Sequence, residues 1–177
     1  MRILEKSFKG PVLLSSSVVA VGSFDGVHSG HKELLRALRE VGDAAGLQTA
    51  VVTFDPLPKN FINPTGAPKL LCGVVARLRL LSQTGYVDNC YVLPFNKKTQ
   101  QQSAEDFFIN VLVGQLGMRA LVVGENFVCG EGRRGDITYL NNLGKQHGVD
   151  VLAQPLHALS GSERCSSTQV RKLVESG

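Results

Sequence analysis

Five short apolar runs, rich in β-branched residues, recur along the chain and constrain its fold more than any other feature. Each run is too short for an ordinary helix and too continuous for a strand with one face in water, so each is typical of a strand buried on both faces. The predicted strands are 18–24, 49–54, 89–93, 120–123 and 149–153. The chain is therefore expected to build a sheet that is covered on both sides.

Amphipathic helical patterns separate these runs. Strands that alternate with helices of such length are joined by βαβ crossovers, which make the strands parallel. We therefore predict an α/β fold, a Rossmann-like, doubly wound sheet of about five parallel strands with helices on both faces. The predicted helices are 31–45, 74–84, 104–116, 137–147 and 167–174.

The composition excludes several other classes of protein. A length of 177 residues suits one domain with a full core, and 43% hydrophobic with 19% charged residues excludes a disordered chain. The formal charge of +4 comes from scattered basic residues, which favours small anionic ligands over nucleic acid. Four cysteines without a C-x-x-C pair indicate neither zinc nor a disulfide framework. With no run of 18 apolar residues to span a membrane, a cytoplasmic location is expected.

Two long segments break the alternation of strands and helices. Residues 55–70 hold four prolines and no periodicity, and residues 125–136 hold three glycines. Each follows a predicted strand, so both should lie at the carboxyl edge of the sheet, where ligands bind in open α/β folds. We expect both loops to be functional.

The turn between the first strand and the first helix reads VGSFDGVHSGH over residues 21–31. Its glycines permit close approach of a ligand, and a helix that begins at Ser29 or Gly30 directs unpaired N–H groups at that ligand. His28 and His31, three residues apart, share one face of the first helical turn. A bound phosphate would raise their pKa values and favour their charged form. The turn is therefore a predicted anion site.

This turn resembles the signature of the His-x-Gly-His nucleotidyltransferase superfamily, whose members transfer AMP or CMP from a triphosphate to a phosphate acceptor. It is most similar to the FAD synthetase module of bacterial bifunctional riboflavin kinase/FMN adenylyltransferases. Three further segments resemble that family in the same order, TFDPLP at 53–58, VGENFVCG at 123–130 with GD at 135–136, and SSTQVR at 166–171. The resemblance covers residues 18–177.

The resemblance implies one nucleotidyltransferase domain over residues 1–177, without the riboflavin kinase domain that normally follows. It implies transfer of AMP from ATP to FMN, giving FAD and pyrophosphate, with Mg²⁺ held by phosphates and water rather than by protein ligands. The implied catalytic residues are His28, His31, Asn126 and Arg171. The residues expected to contact the nucleotide or the flavin are Gly22, Phe24, Asp25, Gly26, Gly30, Gly124, Ser167, Thr168, Phe61 and Phe107.

The implied roles differ within this set. The two histidines would act on the α-phosphate of ATP, and Asn126 would orient the acceptor phosphate or its metal. Asp25 is either a general base or an acceptor of backbone hydrogen bonds that fixes the loop, and the second role is commoner beside a phosphate-binding turn. Phe61 and Phe107 either stack on the flavin or belong to the core. The residues expected to hold the β- and γ-phosphates are Ser167, Thr168 and Arg171.

Two residues depart from the family pattern. Leu57 stands where the family usually has His, and Cys129 stands where it usually has Phe. Both lie in the irregular loops where the flavin and its phosphate are expected. Two alternatives therefore stay open: an adenylyl- or cytidylyltransferase for another small phosphorylated acceptor, and a nucleotide- or flavin-binding module without turnover.

Overall fold

The computed structural model describes residues 1–4, 13–155 and 171, and a parallel sheet of six strands lies at the centre of this part of the chain. The strands are β1 (Arg2–Leu4), β2 (Ser17–Val21), β3 (Gln48–Asp55), β4 (Asn89–Pro94), β5 (Met118–Gly124) and β6 (Asp150–Gln154). Their order in the sheet is β1-β4-β3-β2-β5-β6, and every neighbouring pair is parallel. The predicted α/β fold is confirmed, with one strand more than the five expected.

Helices follow the strands along the chain. The helices are α1 (Ser29–Ala45), α2 (Pro58–Ile62), α3 (Val74–Gln83), α4 (Lys97–Gln100), α5 (Ala104–Asp106) and α6 (Ile137–His147). The last of these has the predicted bounds. Short 3₁₀ turns occur at Asp25–Val27 and Glu131–Arg133.

Two clusters of buried apolar side chains hold the layers together. One cluster joins the sheet to α1 and α3 through Leu35, Leu38 and Leu81. The other joins the sheet to the segment after α5 and to α6 through Phe108 and Leu140. Full burial of such a side chain stabilises the fold by about 1.5–3 kcal/mol. The covered sheet is therefore a rigid base from which the loops at its carboxyl edge project.

Strand β2, which was predicted at 18–24, is shorter than predicted. It ends at Val21, not at residue 24, because the chain leaves the sheet at the following glycine. The Gly22 N–H still donates to the Val52 carbonyl (3.0 Å), but Phe24 already has a left-handed backbone, with φ of 49°. The signature turn thus starts closer to the sheet than the apolar pattern indicates.

The predicted helix at 104–116 is also different in the structure. After α5 the chain continues as a π-helix over Phe107–Val113, in which Gly114 N–H donates to the Ile109 carbonyl, five residues back (2.8 Å). This wider bonding pattern accompanies burial of two adjacent pairs of apolar side chains on one side. Those residues are Phe107, Phe108, Val111 and Leu112.

Three short helices and strands were not predicted from the sequence, namely β1, α2 and α4. The segment 55–70, expected to lack secondary structure, contains α2, which Pro58 begins at a position where its missing N–H is no cost. The edge strand β1 pairs with β4 but has only three residues, too few for a periodic signal.

The strand order places the turn after β2 beside the loop after β5. β2 pairs with β3 on one side and with β5 on the other, and the chain moves outward in opposite directions from these two strands. In open α/β sheets the crevice at such a switch point, beyond the carboxyl ends of the strands, is where ligands bind. The turn after β2 and the loop at 125–136 after β5 flank this crevice.

Some expectations fall on parts of the chain that the structure leaves undescribed. The predicted helix at 167–174 lies outside the described residues except for Arg171, whose backbone is helical. Ser167 and Thr168 lie outside them as well. Within the described ranges, no helix has both the length and the apolar character needed to cross a membrane.

Candidate active site

The turn after β2 is shaped by its backbone conformations. Phe24 and Gly26 have positive φ values of 49° and 76°, and Phe24 is buried in the core beneath the turn. A Cβ on Gly22 would lie 3.0 Å from the Phe24 ring, so glycine is needed there for packing. These residues shape the turn, and Phe24 does so from inside the core.

Asp25 ties this turn to distant parts of the chain. Its side chain is 2% exposed, and its carboxylate accepts hydrogen bonds from the N–H groups of Leu71 (3.0 Å) and Cys72 (3.1 Å). The same carboxylate accepts a 2.6 Å hydrogen bond from Nη2 of Arg171, 146 residues along the chain. Arg171 also donates from Nε to the Lys69 carbonyl (2.7 Å). Asp25 therefore holds the turn, the segment 69–72 and Arg171 together.

Helix α1 begins directly after the turn and points its amino-terminal end at the crevice. His28 occupies the N-cap position with an extended backbone, and the first turn of the helix carries no acidic residue. Gly30 is the second residue of the helix. The unpaired N–H groups and the positive dipole end of α1 thus favour an anion at this position.

The two histidines stack on each other. The ring centroids of His28 and His31 are 3.7 Å apart at an interplanar angle of 25°, and the His31 ring also contacts that of Phe24 at 5.2 Å. Among the described residues, Nδ1 of His31 is buried without a hydrogen-bond partner. The spacing predicted a shared face, and the geometry forms a paired imidazole surface.

The surroundings lower the pKa values of both imidazoles. Burial, and to a lesser extent the neighbouring His28, lower the pKa of His31 to about 3. Burial also lowers the pKa of His28, which the Asp25 carboxylate raises and the Arg171 guanidinium lowers further. Without a ligand, His31 is therefore neutral near pH 7, and a bound phosphate would act in the opposite direction.

The loop after β5 forms the other side of the crevice. Gly124 ends the strand, and Asn126 lies exposed in the tight turn that follows. A short antiparallel bridge between Cys129 and Gly135 closes the loop. A Cβ on Gly130 would lie 2.4 Å from the backbone nitrogen of Ala104, so this loop packs closely on the start of α5.

The two candidate flavin-stacking residues lie in different environments. Phe61, on α2, is half-buried and makes an edge-to-face contact with Phe95 at 5.7 Å, and Phe95 makes another with Phe54 at 5.8 Å. Phe107 lies buried in the core between the sheet and α6. The structure places Phe61 at the carboxyl edge of β3 and β4 and leaves Phe107 only 5% exposed.

The model of the FAD synthetase family matches residues 11–169 of the chain. The chain belongs to the FAD synthetase family. The similarity runs through the turn after β2, the loop after β5 and most of the last predicted motif.

Curated relatives of this FAD synthetase-family chain are named bifunctional riboflavin kinase/FMN adenylyltransferases. The protein of Pseudomonas fluorescens is 39% identical over 157 residues, and that of Escherichia coli K12 is 35% identical over 157 residues. A Buchnera aphidicola relative is 35% identical over 161 residues. These matches cover 89–90% of this chain and 50% of each relative. The chain thus spans about half the length of the curated relatives it matches.

A solved structure is similar over almost the whole chain. It is a crystal structure of a protein from Streptococcus pneumoniae, described as a macrolide-efflux protein, with a TM-score of 0.84 and 25% sequence identity. The match covers 98% of this chain and 56% of that one. The similarity supports the Rossmann-like fold of this FAD synthetase-family domain.

Sequence reasoning missed several parts of the site. The segment 69–72 binds Asp25 and Arg171 mainly through backbone groups, which leave no side-chain signal. The Cys72 side chain takes part as well, because its Sγ accepts from the Gly26 N–H (3.3 Å) and donates to the Asp25 carboxylate (3.8 Å). The helical spacing predicts Val75, Leu78 and Leu81 as the apolar side of α3, but the structure exposes Val75 and buries Arg77 with Leu81. Among the described residues, no group of three or more His, Cys, Asp or Glu side chains could hold a metal ion.

Proposed function

We propose that this chain transfers AMP from ATP to FMN, giving FAD and pyrophosphate. The observation that carries the proposal is the stacked pair His28 and His31 at the amino-terminal end of α1, in a chain of the FAD synthetase family. The name of the relatives, FMN adenylyltransferase, supports FMN as the acceptor and an adenylyl group as the group transferred. The crevice between the ends of β2 and β5 supplies the place.

The proposed reaction is a direct in-line transfer. An oxygen of the FMN phosphate attacks the α-phosphorus of ATP, and the bond from that phosphorus to the bridging oxygen of the β-phosphate breaks. Pyrophosphate leaves with the bonding electrons, and no covalent intermediate with the protein forms. Catalysis of this kind depends on positioning and on stabilising negative charge.

His28 and His31 would bind the α-phosphate. His28 is the N-cap of α1 and His31 is in its first turn, so imidazole and backbone donors of the same turn would bind one anion. Because burial keeps His31 neutral in the ligand-free protein, the arriving negative charge would raise its pKa and promote proton uptake. The imidazoles would thus become positively charged when the phosphate binds.

Arg171 would bind the β- and γ-phosphates together with Ser167 and Thr168. Its Nε and one N–H of Nη2 are held by the Lys69 carbonyl and the Asp25 carboxylate, so among the described residues three of its five N–H donors have no hydrogen-bond partner and would serve a ligand. A guanidinium fixed on one side can present its other side to phosphate oxygens with little loss of entropy. Asp25 would act here as a positioning residue.

The acceptor FMN would bind at the loop after β5 and at the segment that contains α2. Asn126, exposed just beyond β5 and Gly124, would orient the FMN phosphate, and Phe61 would present an aromatic edge to the flavin ring. Mg²⁺ would enter as part of the substrate, bound by ATP oxygens and water, in keeping with its preference for phosphate ligands. That the chain binds no nucleic acid and acts in the cytoplasm remain predictions.

The test is a coupled measurement of products. Purified protein incubated with FMN, ATP and MgCl₂ should form FAD and an equal amount of pyrophosphate. Chromatography measures the FAD formed over time. Binding of ATP and FMN by calorimetry without pyrophosphate release would contradict a catalytic role.

A second candidate keeps the reaction but changes the acceptor. Leu57 is buried at the start of α2, and Cys129 lies in the bridged loop after β5, so both departures from the family pattern occur where the acceptor would bind. A panel of phosphorylated acceptors with ATP and with CTP separates the candidates. Nucleotide transfer to another acceptor in the absence of FAD formation would favour the second.

A further inference from the structure

Arg77 is a buried cation without an ionic partner in the described part of the chain. Its side chain is 1% exposed, although arginine usually keeps its guanidinium in water. It forms no ion pair with any carboxylate among residues 1–4, 13–155 and 171. Its Nε also lacks a hydrogen-bond partner within these residues. A buried apolar side chain would fill this space at lower cost, so the charge itself requires an explanation.

The hydrogen bonds of Arg77 lead to the signature turn. Its Nη1 donates to the Thr53 hydroxyl (3.1 Å) and to the Phe54 carbonyl (2.8 Å), both at the end of β3. The Thr53 hydroxyl in turn donates to the carbonyl of Ser23 (3.1 Å), inside the turn after β2. A hydroxyl that accepts from a cation becomes a stronger donor, so the two hydrogen bonds reinforce each other.

The electrostatic effect of Arg77 extends beyond these bonds. Burial raises the pKa of the Cys90 thiol to about 12, and the positive charge of Arg77 acts against this rise. Helix α3 also packs against the 3₁₀ turn Asp25–Val27, which leads into the anion site. A positive charge in this low-dielectric layer is screened less than one in water.

We propose that Arg77 is a positioning residue for the transfer reaction: through Thr53 it fixes the turn before the histidines, and its charge favours the bound phosphates. This inference rests on the proposed function, because it assigns to Arg77 the support of the same anion site. Arg77 does not touch the substrate. It acts on the conformation and the potential of the turn that does.

The test compares ATP binding by calorimetry in Arg77→Met and Arg79→Met, since both variants remove one arginine from α3 and Arg79 is exposed. Loss of a hydrogen-bonded charge predicts about ten- to hundredfold weaker binding for Arg77→Met. Arg79→Met should bind like the wild type, and Arg77→Lys, which keeps the charge, should recover most of the affinity. Equal affinities in folded Arg77→Met and Arg79→Met would overturn the inference.

A second variant tests the inference if Arg77→Met does not fold. Thr53→Val keeps the volume of the side chain and removes only the hydroxyl that links Arg77 to Ser23. It should weaken ATP binding severalfold and lower turnover, and wild-type values of both would overturn the inference. The two proposals can fail separately, because the calorimetry of ATP binding needs no FMN. Wild-type protein that binds ATP but makes no FAD contradicts the proposed function. The effect of Arg77→Met on ATP affinity can still be measured in that case.

Discussion

Two regions of the carboxyl edge are built from different interactions. The β2–β5 edge (residues 22–31 and 124–136) is organised by buried polar groups, with Asp25, Arg171 and the histidine pair held by hydrogen bonds or ring stacking. The β3–β4 edge (residues 54–62 and 95) is organised by edge-to-face contacts of Phe54, Phe61 and Phe95. The first fixes directions and charges, whereas the second offers an apolar surface.

The two edges should differ in how well they tolerate substitutions. Hydrogen bonds and ion pairs are directional, and an unpaired buried group is costly, so the β2–β5 edge tolerates little change. Aromatic contacts tolerate alternative packing at a smaller cost. Under the proposed function, selection of the acceptor would therefore vary at the β3–β4 edge, which includes Leu57, while the transfer chemistry at the β2–β5 edge would stay the same.

The largest expected effect is at the histidine pair. His28→Ala and His31→Ala should each lower kcat by about 10²–10⁴-fold, because each removes a group that stabilises charge in the transition state. ATP affinity should fall only modestly. His147→Ala, at the exposed end of α6, is the matched control. Turnover near the wild-type rate in both site variants would remove the proposed chemical role of the β2–β5 edge.

Asp25→Asn tests the hydrogen bonds that hold this edge. Loss of the carboxylate breaks the ion pair with Arg171 and weakens the acceptor for two backbone N–H groups, so the free energy of unfolding should fall by about 3 kcal/mol. KM for ATP should rise with it. Asp43→Asn, in an exposed pair with Arg39, should cost less than about 1 kcal/mol. Chemical denaturation of the two variants measures the difference, and equal losses would show that Asp25 has no special part in the site.

Alanine variants of Phe61 and Phe107 distinguish a flavin contact from core packing. Phe61→Ala should raise KM for FMN about tenfold at nearly constant stability, since one partly exposed aromatic contact is lost. Phe107→Ala should lower the free energy of unfolding by about 3–5 kcal/mol without a selective change for FMN, since it leaves a cavity in the core. Steady-state kinetics with FMN varied, together with thermal unfolding, tests both. An unchanged KM for FMN in Phe61→Ala would leave the β3–β4 edge without its proposed ligand.

The burial of His31 predicts a pH dependence of stability. The pKa of His31 is about 3 in the folded protein and near 6.5 when unfolded, so the unfolded state binds the proton more readily between these values. Stability should therefore fall as the pH falls from about 6.5 toward 3, by at most about 1.4 kcal/mol per pH unit from this residue. Relative to the wild type, His31→Ala should have a shallower slope in unfolding experiments across this window. Parallel slopes would mean that His31 is not buried as a neutral imidazole.

Local patterns were sufficient where elements have clear ends. The bounds of α6 follow from Asp136, whose side chain accepts from Tyr139 N–H at the start, and from Gly148, whose φ of 65° ends the helix. Helix α1 likewise ends before Gly46, with φ of 63°. The π-helix after α5 could not be predicted, because its apolar spacing fits an α-helix equally well.

The sequence by itself determined the parallel α/β fold and the position of the turn between β2 and α1, since both depend on periodicity and on neighbouring residues. The tertiary structure alone decided which groups the turn contacts. Asp25 meets Arg171 across 146 residues, and Arg77 reaches Ser23 only through Thr53 of another strand. A buried charge is stabilised by whatever the fold brings within hydrogen-bonding distance, and spacing along the chain carries no record of that.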